Sequence, residues 1–154
     1  MKYSIDTSAI LNSWVRAYPP DIFPRLWTRL DELIEKGILV AIEEVIIELE
    51  RKDDEVYKWA KKRENMFVPI NEDIQLAVKN ILRTYGKLID QRKSRSRADP
   101  WVIALAQVRG FTVITSEKPT NRPNRPHIPD VCSAMNIPCI DMVQFFREQK
   151  FVFS

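Results

Sequence analysis

The stretch from Asp99 to Glu117 constrains the fold more than any other, because it joins a strong helix start to a buried strand. Asp99 is expected at the N-cap of a helix, with Pro100 at the first helical position, where the missing N–H of proline costs nothing. Gly110 is expected to end that helix. The run from Thr112 to Thr115 is β-branched and apolar on both faces, which is typical of a strand in a parallel sheet.

Two earlier strand-to-helix junctions also carry acids. A short β-compatible run, Lys2 to Ile5, leads into Asp6-Thr7-Ser8, which offers caps for a helix over Ala9 to Val15. A second buried strand, Ile38 to Ala41, leads into a Glu-rich helix that reaches about Arg51. Because open α/β folds bind ligands at the carboxyl ends of their strands, we expect the site at this acidic edge.

The remaining periodicities complete an alternation of strands and helices. Helices are predicted over Pro24 to Lys36, Asp53 to Arg63, Glu72 to Tyr85, Asp130 to Met135 and a final helix from an Asp141 cap to Gln149, with strands over Phe67 to Ile70 and Pro138 to Ile140 and loops over Asp90 to Ala98 and Lys118 to His127. This alternation predicts an α/β fold, a three-layer α/β/α sandwich around a mostly parallel sheet of about five strands. One domain is expected over residues 1–154.

Composition limits the class of protein. The chain of 154 residues is 45% hydrophobic, enough for a sizeable core. No apolar run approaches the ~20 residues that span a bilayer, and the first residues do not resemble a signal peptide. Cys132 and Cys139 lack metal-ligand spacing, which favours reduced, buried thiols. We therefore expect a soluble cytoplasmic protein that does not contact membranes.

Positive charge is concentrated between Lys87 and His127, which contains nine Lys or Arg against three acids. That segment carries about +6 and leaves the rest of the chain near −3. A basic segment beside an acidic edge suits a ligand with a phosphate backbone, although such a segment is also typical of a solvated loop. The candidate cations for RNA contacts are Arg92, Lys93, Arg95, Arg97, Arg122 and Arg125.

Four acids follow predicted strands or lie in the next helix: Asp6, Glu48, Asp99 and Glu117. Converging carboxylates without His or Cys are hard oxygen ligands of the kind that Mg²⁺ and Mn²⁺ prefer. Each acid also has a purely structural interpretation, as a helix cap, a surface helix residue or a loop acid. The helical wheel leaves the second acid open, because Glu43, Glu48 and Glu50 all flank the apolar stripe of their helix.

Other chemistries have little support. The only histidine, His127, lies in a proline-rich loop, which argues against His-based nucleophilic catalysis, and no Gly-rich phosphate loop is present. Asp6-Thr7-Ser8 lacks the second Asp of haloacid-dehalogenase-like phosphatases, and the first strand lacks the acidic pair of receiver domains.

Taken together, four motifs resemble the successive acidic motifs of PIN domains over nearly the whole chain. They are Tyr3-Ser4-Ile5-Asp6-Thr7-Ser8-Ala9-Ile10-Leu11, Glu44-Val45-Ile46-Ile47-Glu48-Leu49, Ala98-Asp99-Pro100-Trp101-Val102-Ile103-Ala104 and Val113-Ile114-Thr115-Ser116-Glu117. The nearest resemblance is to a PIN-like prokaryotic subgroup in which Ile128-Pro129-Asp130-Val131-Cys132 also recurs.

The PIN resemblance implies a ribonuclease dependent on Mg²⁺ or Mn²⁺, similar to the toxin of a toxin–antitoxin pair, so RNA and an antitoxin protein are the expected partners. It selects Glu48 as the second ligand. The fourth acid departs from the commonest pattern, so either Glu117 or Asp130 takes that role. We expect Thr7, Ser8 and Thr115 to orient the ligands or a water. The alternative is a PIN-like interaction or RNA-binding module without catalysis.

An aromatic-rich segment surrounds Pro19-Pro20. Its side chains have two interpretations, core packing, which we favour, and a surface for a homodimer or an antitoxin. The residues concerned are Trp14, Tyr18, Ile22, Phe23 and Trp27.

Overall fold

A computed structural model describes residues 1–88 and 98–153 of the chain. Their centre is a five-stranded sheet in the order β3-β2-β1-β4-β5, in which every pairing is parallel. The strands are β1 (Tyr3–Ile5), β2 (Leu39–Ile42), β3 (Phe67–Val68), β4 (Thr112–Ile114) and β5 (Cys139–Ile140). In the register of the central pairs, Tyr3 lies opposite both Leu39 and Thr112.

Helices connect successive strands and cover the sheet, which gives the predicted three-layer α/β/α sandwich. They are α1 (Thr7–Asn12), α2 (Pro24–Glu35), α3 (Glu43–Lys52), α4 (Asp54–Lys61), α5 (Glu72–Thr84), α6 (Asp99–Arg109), α7 (Ile128–Met135) and α8 (Met142–Glu148). Short 3₁₀ turns lie at Glu64–Met66 and Gly86–Leu88. The fold class is therefore confirmed, and the sheet is wholly rather than mostly parallel.

The central strands are buried on both faces, as their apolar sequences predict. Every residue of β1, β2 and β4 is buried, whereas the two-residue edge strands β3 and β5 are only partly so. This agrees with the edge position that Pro69 suggests for β3, because a proline cannot donate to a ladder. Helix caps also follow the sequence: Asp141 accepts a hydrogen bond from the Gln144 N–H, and Gly110 ends α6 at φ 71°.

Several predicted boundaries are wrong by one or two residues. Asp99 is not the N-cap of α6 but its first helical residue, because Ala98 occupies the cap with nearly helical dihedrals (φ −78°, ψ −19°). Helix α7 begins at Ile128 rather than Asp130, since a proline is tolerated in the first turn. The strand predicted over Ile38 to Ala41 is β2, shifted by one residue, and the predicted strand Phe67 to Ile70 is shortened to β3.

The first helix has a continuation that its sequence does not announce. After Asn12 the chain forms a π-helical turn over Ser13–Ala17, and the Tyr18 N–H donates to the Ser13 carbonyl over 2.8 Å. Such turns widen a helix locally. The loop predicted over Asp90 to Ala98 falls outside the described residues except for Ala98.

Most of the aromatic-rich segment packs inward. Trp27 is buried, its ring lies 5.0 Å from Trp14 and 5.4 Å from Trp59, and its indole N–H donates to the Tyr18 carbonyl over 2.8 Å. Ile22, by contrast, is 67% exposed. Core packing therefore accounts for the tryptophans, and a homodimer or antitoxin surface stays a prediction for the exposed members. In the described part of the chain, no helix is both long and apolar enough to cross a bilayer.

Candidate active site

The strand order places a topological switch point beside β1. From β1 the chain moves to β2 and β3 on one side of the sheet, then returns through β4 and β5 on the other. Residues that follow β1 and β4 consequently meet at the carboxyl edge, in the crevice where open α/β sheets bind ligands. Asp6 follows β1 directly, and Thr115 follows β4 directly.

Asp6 is held by three donors at this crevice. One carboxylate oxygen, Oδ1, accepts from the Ala9 N–H over 2.7 Å, which makes Asp6 the N-cap of α1. The other, Oδ2, accepts from the Thr115 hydroxyl over 2.5 Å and from the Ser8 hydroxyl over 2.8 Å. The Asp6 carboxylate is therefore both a helix cap and part of a hydroxyl-lined site, so the two interpretations of this residue are compatible.

Burial dominates the electrostatics of Asp6, which is 1% exposed. Loss of hydration raises the pKa of its carboxyl from 3.8 to about 7, against the opposing effect of the three hydrogen bonds, and the nearby charge of Glu117 raises it further. The interaction with Glu117 shows that the acid following β4 lies within electrostatic reach of the acid following β1.

Glu48 is a buried residue of α3 that contacts the first residue of α1. Its Oε1 accepts from the Thr7 hydroxyl over 2.5 Å, and its Oε2 accepts from the Ala98 N–H over 3.4 Å. The other two candidates on α3 have different surroundings. Glu43 accepts a hydrogen bond from the Ile70 N–H over 2.9 Å, and Glu50 is exposed. Of the three acids that the helical wheel left open, the structure buries Glu48 at the edge of the sheet.

Asp99 and Glu117 are the remaining two candidate acids. Asp99 is 7% exposed in the first turn of α6, next to the Ala98 amide that contacts Glu48. Glu117 is partly buried, and its N–H donates to the Thr115 hydroxyl oxygen over 3.0 Å. The Thr115 hydroxyl thus contacts the carboxylate of Asp6 and the backbone of Glu117 at once.

Asp130 lies in the first turn of α7 and has a different set of contacts. Its Oδ2 accepts from the Thr120 N–H over 2.9 Å, the Thr120 hydroxyl over 3.1 Å and the His127 N–H over 2.8 Å, and its Oδ1 accepts from the Asn121 N–H over 3.0 Å. Although burial acts to raise it, these backbone donors hold the pKa of the Asp130 carboxyl below its usual range.

The predicted cations are only partly described. Arg122 and Arg125 are exposed in the loop between β4 and α7, which also contains the exposed Lys118. The other candidates, Arg92, Lys93, Arg95 and Arg97, lie outside the described residues.

The chain is similar to known proteins over most of its length. A family model described as "Domain of unknown function (DUF4411)" matches residues 3–153. The chain belongs to the DUF4411 family. No curated protein matches it. Among solved structures, the DUF4411 chain is similar to FitAcB from Neisseria gonorrhoeae, with a TM-score of 0.52 and 18% sequence identity over 90% of this chain and 96% of that one. At that identity the similarity concerns the fold alone, a parallel sheet covered by helices.

The donor chemistry of the DUF4411 edge fits a hard divalent cation. Carboxylate and hydroxyl oxygens are the ligands that Mg²⁺ and Mn²⁺ prefer, and the raised pKa of Asp6 shows that its charged form is costly without a nearby positive charge. Within residues 1–88 and 98–153, no group of three or more His, Cys, Asp or Glu side chains is arranged to hold a metal ion. Metal binding would therefore have to rearrange side chains that now accept hydrogen bonds from Thr7, Ser8 and Thr115.

One further acid lies near the site without having been a candidate. Glu44 is partly buried one turn before Glu48, and burial, together with the charges of Glu43 and Glu48, raises the pKa of its carboxyl. The signal in the sequence was the spacing of four residues between Glu44 and Glu48, which places two acids on one side of a helix.

Proposed function

We propose that this DUF4411 chain is a ribonuclease that depends on Mg²⁺ or Mn²⁺ and hydrolyses phosphodiester bonds at the carboxyl edge of its sheet. The observation that carries the proposal is the burial of three carboxylates, Asp6, Glu48 and Asp99. Glu48 contacts the neighbours of the other two, Thr7 and Ala98, and the charge of Glu117 acts on Asp6. Buried carboxylates oppose folding, so a group of them in a ligand-binding crevice is a candidate functional site.

The chain's own groups would keep this edge in order. Thr115 and Ser8 fix the rotamer of Asp6, and Thr7 fixes that of Glu48, through hydroxyls whose hydrogens face the carboxylates. A bound Mg²⁺ or Mn²⁺, held by Asp6, Glu48, Asp99 and Glu117, would lower the pKa of a water and offset negative charge on the phosphate. No histidine base is then needed, which suits a chain whose only His is in the loop before α7.

We infer the two partners, RNA and an antitoxin protein, from the positive charge of the loop after β4 and from the PIN-like motifs. Exposed arginines in the loop after β4 suit contacts to an RNA backbone, which position a substrate without reading its sequence. The PIN-like motifs support the role of the toxin in a toxin–antitoxin pair, with an antitoxin protein as partner.

A second candidate function is a PIN-like interaction or RNA-binding module without catalysis. The observation that favours it is that, in the part of the chain that the structure describes, no three potential ligand side chains are arranged to hold a metal ion. In that case Asp6 acts as the cap of α1 alone.

Cleavage of labelled RNAs tests the proposal directly. Purified wild type, Asp6→Asn and Asp99→Asn are incubated with single-stranded and structured RNAs in Mg²⁺, Mn²⁺ or EDTA, after circular dichroism has shown that the folds match. We expect cleavage that requires metal and is lost in both variants. Glu50→Gln serves as the matched control, because Glu50 is an exposed acid on the same helix as Glu48.

The other outcomes separate the two candidates. Cleavage that survives both substitutions identifies a contaminating nuclease and overturns the site. Absence of cleavage, together with no effect of Mn²⁺ on the melting temperature of the wild type, favours the non-catalytic module.

A further inference from the structure

The loop that follows the candidate site, residues 118–127, has a defined shape although it contains no helix or strand. Asp130 lies at its base and accepts four hydrogen bonds, two from Thr120 and one each from the backbone of Asn121 and His127. These donors come from both ends of the loop. The Asp130 carboxylate therefore holds the backbone at both ends of the loop.

Contacts within the loop extend this framework. The Thr120 hydroxyl lies 2.9 Å from the Arg125 carbonyl and accepts from the Arg122 N–H over 3.1 Å, while the Arg125 N–H donates to the Arg122 carbonyl over 3.0 Å. The buried ring of Pro126 fixes the loop to the body of the protein. The Arg122 and Arg125 backbones are thus held relative to Asp130.

Each cation of the loop directly precedes a proline, in Lys118-Pro119, Arg122-Pro123 and Arg125-Pro126. A following proline disfavours the helical region and biases the preceding residue towards an extended backbone. The backbones of the three cations are therefore restricted before any ligand binds, which lowers the backbone entropy lost on binding.

The charge of the loop is of one sign. Lys118, Arg122 and Arg125 are exposed, and between Glu117 and Asp130 the sequence contains no acid. The Asp130 carboxylate at the base of the loop faces the loop's backbone N–H groups and the Thr120 hydroxyl. The result is a positively charged ridge, residues 118–127, that begins directly after Glu117.

We propose that Asp130 is a positioning residue that shapes this ridge, and that the ridge binds the phosphate backbone of RNA beside the carboxylate edge. The proposal rests on the proposed function for its substrate class. It gives Asp130 a role other than that of the fourth metal ligand, because its two oxygens are directed at the loop.

Salt-dependent RNA binding in EDTA tests the ridge without cleavage. The affinity of the full chain for a fluorescent single-stranded RNA is measured over a range of salt concentrations, and the slope of log K against log salt counts the phosphates neutralised. We expect Arg122→Gln and Arg125→Gln each to make this slope shallower by about 0.7. Arg109→Gln is the matched control, since Arg109 is an exposed arginine at the far end of α6, just before β4 begins at the opposite edge.

Asp130→Asn separates positioning from metal binding. The variant retains all three cations of the ridge. We expect a shallower salt slope, which approaches that of an Arg122→Gln/Arg125→Gln double variant. Because the cations are still present, the change in slope would arise from the lost shape of the loop. Mn²⁺ should still raise its melting temperature as much as that of the wild type. Loss of the Mn²⁺ effect with an unchanged salt slope would overturn the proposal and assign Asp130 to the metal.

Thr120 offers a second test in case Asp130→Asn fails to fold. Thr120→Val removes the hydroxyl that contacts Asp130 and Arg125, whereas Thr120→Ser keeps it. We expect a shallower slope for the valine variant only. Equal salt slopes for Thr120→Val and Thr120→Ser would overturn the proposal. Equal slopes for the wild type and the two arginine variants would also overturn it, even if cleavage that depends on Asp6 persists. Conversely, RNA binding by the ridge without any cleavage would overturn the proposed ribonuclease alone.

Discussion

The Thr115 hydroxyl donates to Oδ2 of Asp6 over 2.5 Å, joining the ends of β4 and β1 across the switch point of the sheet. The same oxygen of Thr115 accepts from the Glu117 N–H over 3.0 Å. One side chain therefore orients the acid after β1 and the backbone that carries the acid after β4.

Replacement of Thr115 by valine should cost stability at alkaline pH. Valine has nearly the same shape but cannot donate to the charged carboxylate, so we expect the free energy of unfolding at pH 8 to fall by about 2 kcal/mol. Urea unfolding measures this difference. Thr115→Ser, which keeps the hydroxyl, is the control and should lose much less; equal losses in the two variants would mean that packing, not the hydrogen bond, is responsible.

The raised pKa of Asp6 predicts that Asp6→Asn increases the free energy of unfolding by an amount that depends on pH. An unfolded chain releases this proton near pH 4 and the folded chain only near pH 7, so wild-type stability falls as pH rises through that range. The shift from 3.8 to about 7 corresponds to about 4 kcal/mol. Asp6→Asn should therefore match the wild type below pH 4 and exceed it by up to this amount at pH 8. A variant that is no more stable than the wild type at pH 8 would contradict the prediction.

Of Glu48 and Glu50 on α3, only Glu48 should matter for cleavage. Glu48→Gln keeps the volume but removes the charge that faces Thr7, and we expect a loss of RNA cleavage of at least about 100-fold. Glu50→Gln should leave the rate unchanged, because Glu50 is exposed. Equal effects of the two substitutions on the initial rate would remove Glu48 from the site.

Divalent cations should stabilise the folded chain. A ligand at a concentration 100 times its dissociation constant raises the free energy of unfolding by about 2.7 kcal/mol. For a domain of this size, that corresponds to a rise in melting temperature of about 5–10 °C. We expect this rise for Mn²⁺ with the wild type and not with Asp6→Asn, at matched ionic strength. A similar rise in both proteins would place the cation elsewhere.

An ion pair away from the site should contribute to stability through its geometry. Arg63 donates to both oxygens of Asp31, over 2.6 and 2.9 Å, and to the Trp59 carbonyl, with its guanidinium 4.6 Å from the centre of the Trp59 ring. Because the pair is bidentate and partly buried, a double-mutant cycle with Arg63→Gln and Asp31→Asn should give a coupling of about 1–2 kcal/mol. A coupling near zero would show that solvent screens the pair.

Sequence reasoning reached the fold because its signals are local. The apolar run of β2, the β-branched run of β4 and the glycine after α6 act on their own neighbours, so the local sequence is enough to find these elements. The cap of α6 was misplaced by one residue, because a proline is accepted at either of the first helical positions and the dihedrals of Ala98 cannot be seen in the sequence. The π-helical turn at Ser13–Ala17 has no composition of its own.

The site was less accessible from sequence, because its contacts are distant along the chain. Glu48 is distinguished from Glu43 and Glu50 by a hydroxyl 41 residues away, on Thr7. The type of Asp130 and its position in a motif predict a possible ligand, and its hydrogen bonds with Thr120, which span ten residues of irregular loop, cannot be read from the sequence. Only the folded backbone decides which of these polar groups meet.

The strand order also sets when the site can form during synthesis. Asp6 leaves the ribosome early, but Thr115, which holds it, is made 109 residues later, and β4 can pair with β1 only then. Pairings of such long sequence separation form late, after the intervening chain has been ordered. A nascent chain that ends before β4 therefore contains Asp6, Glu48 and Asp99 without the strand that carries Thr115, so assembly of the site must await translation of β4.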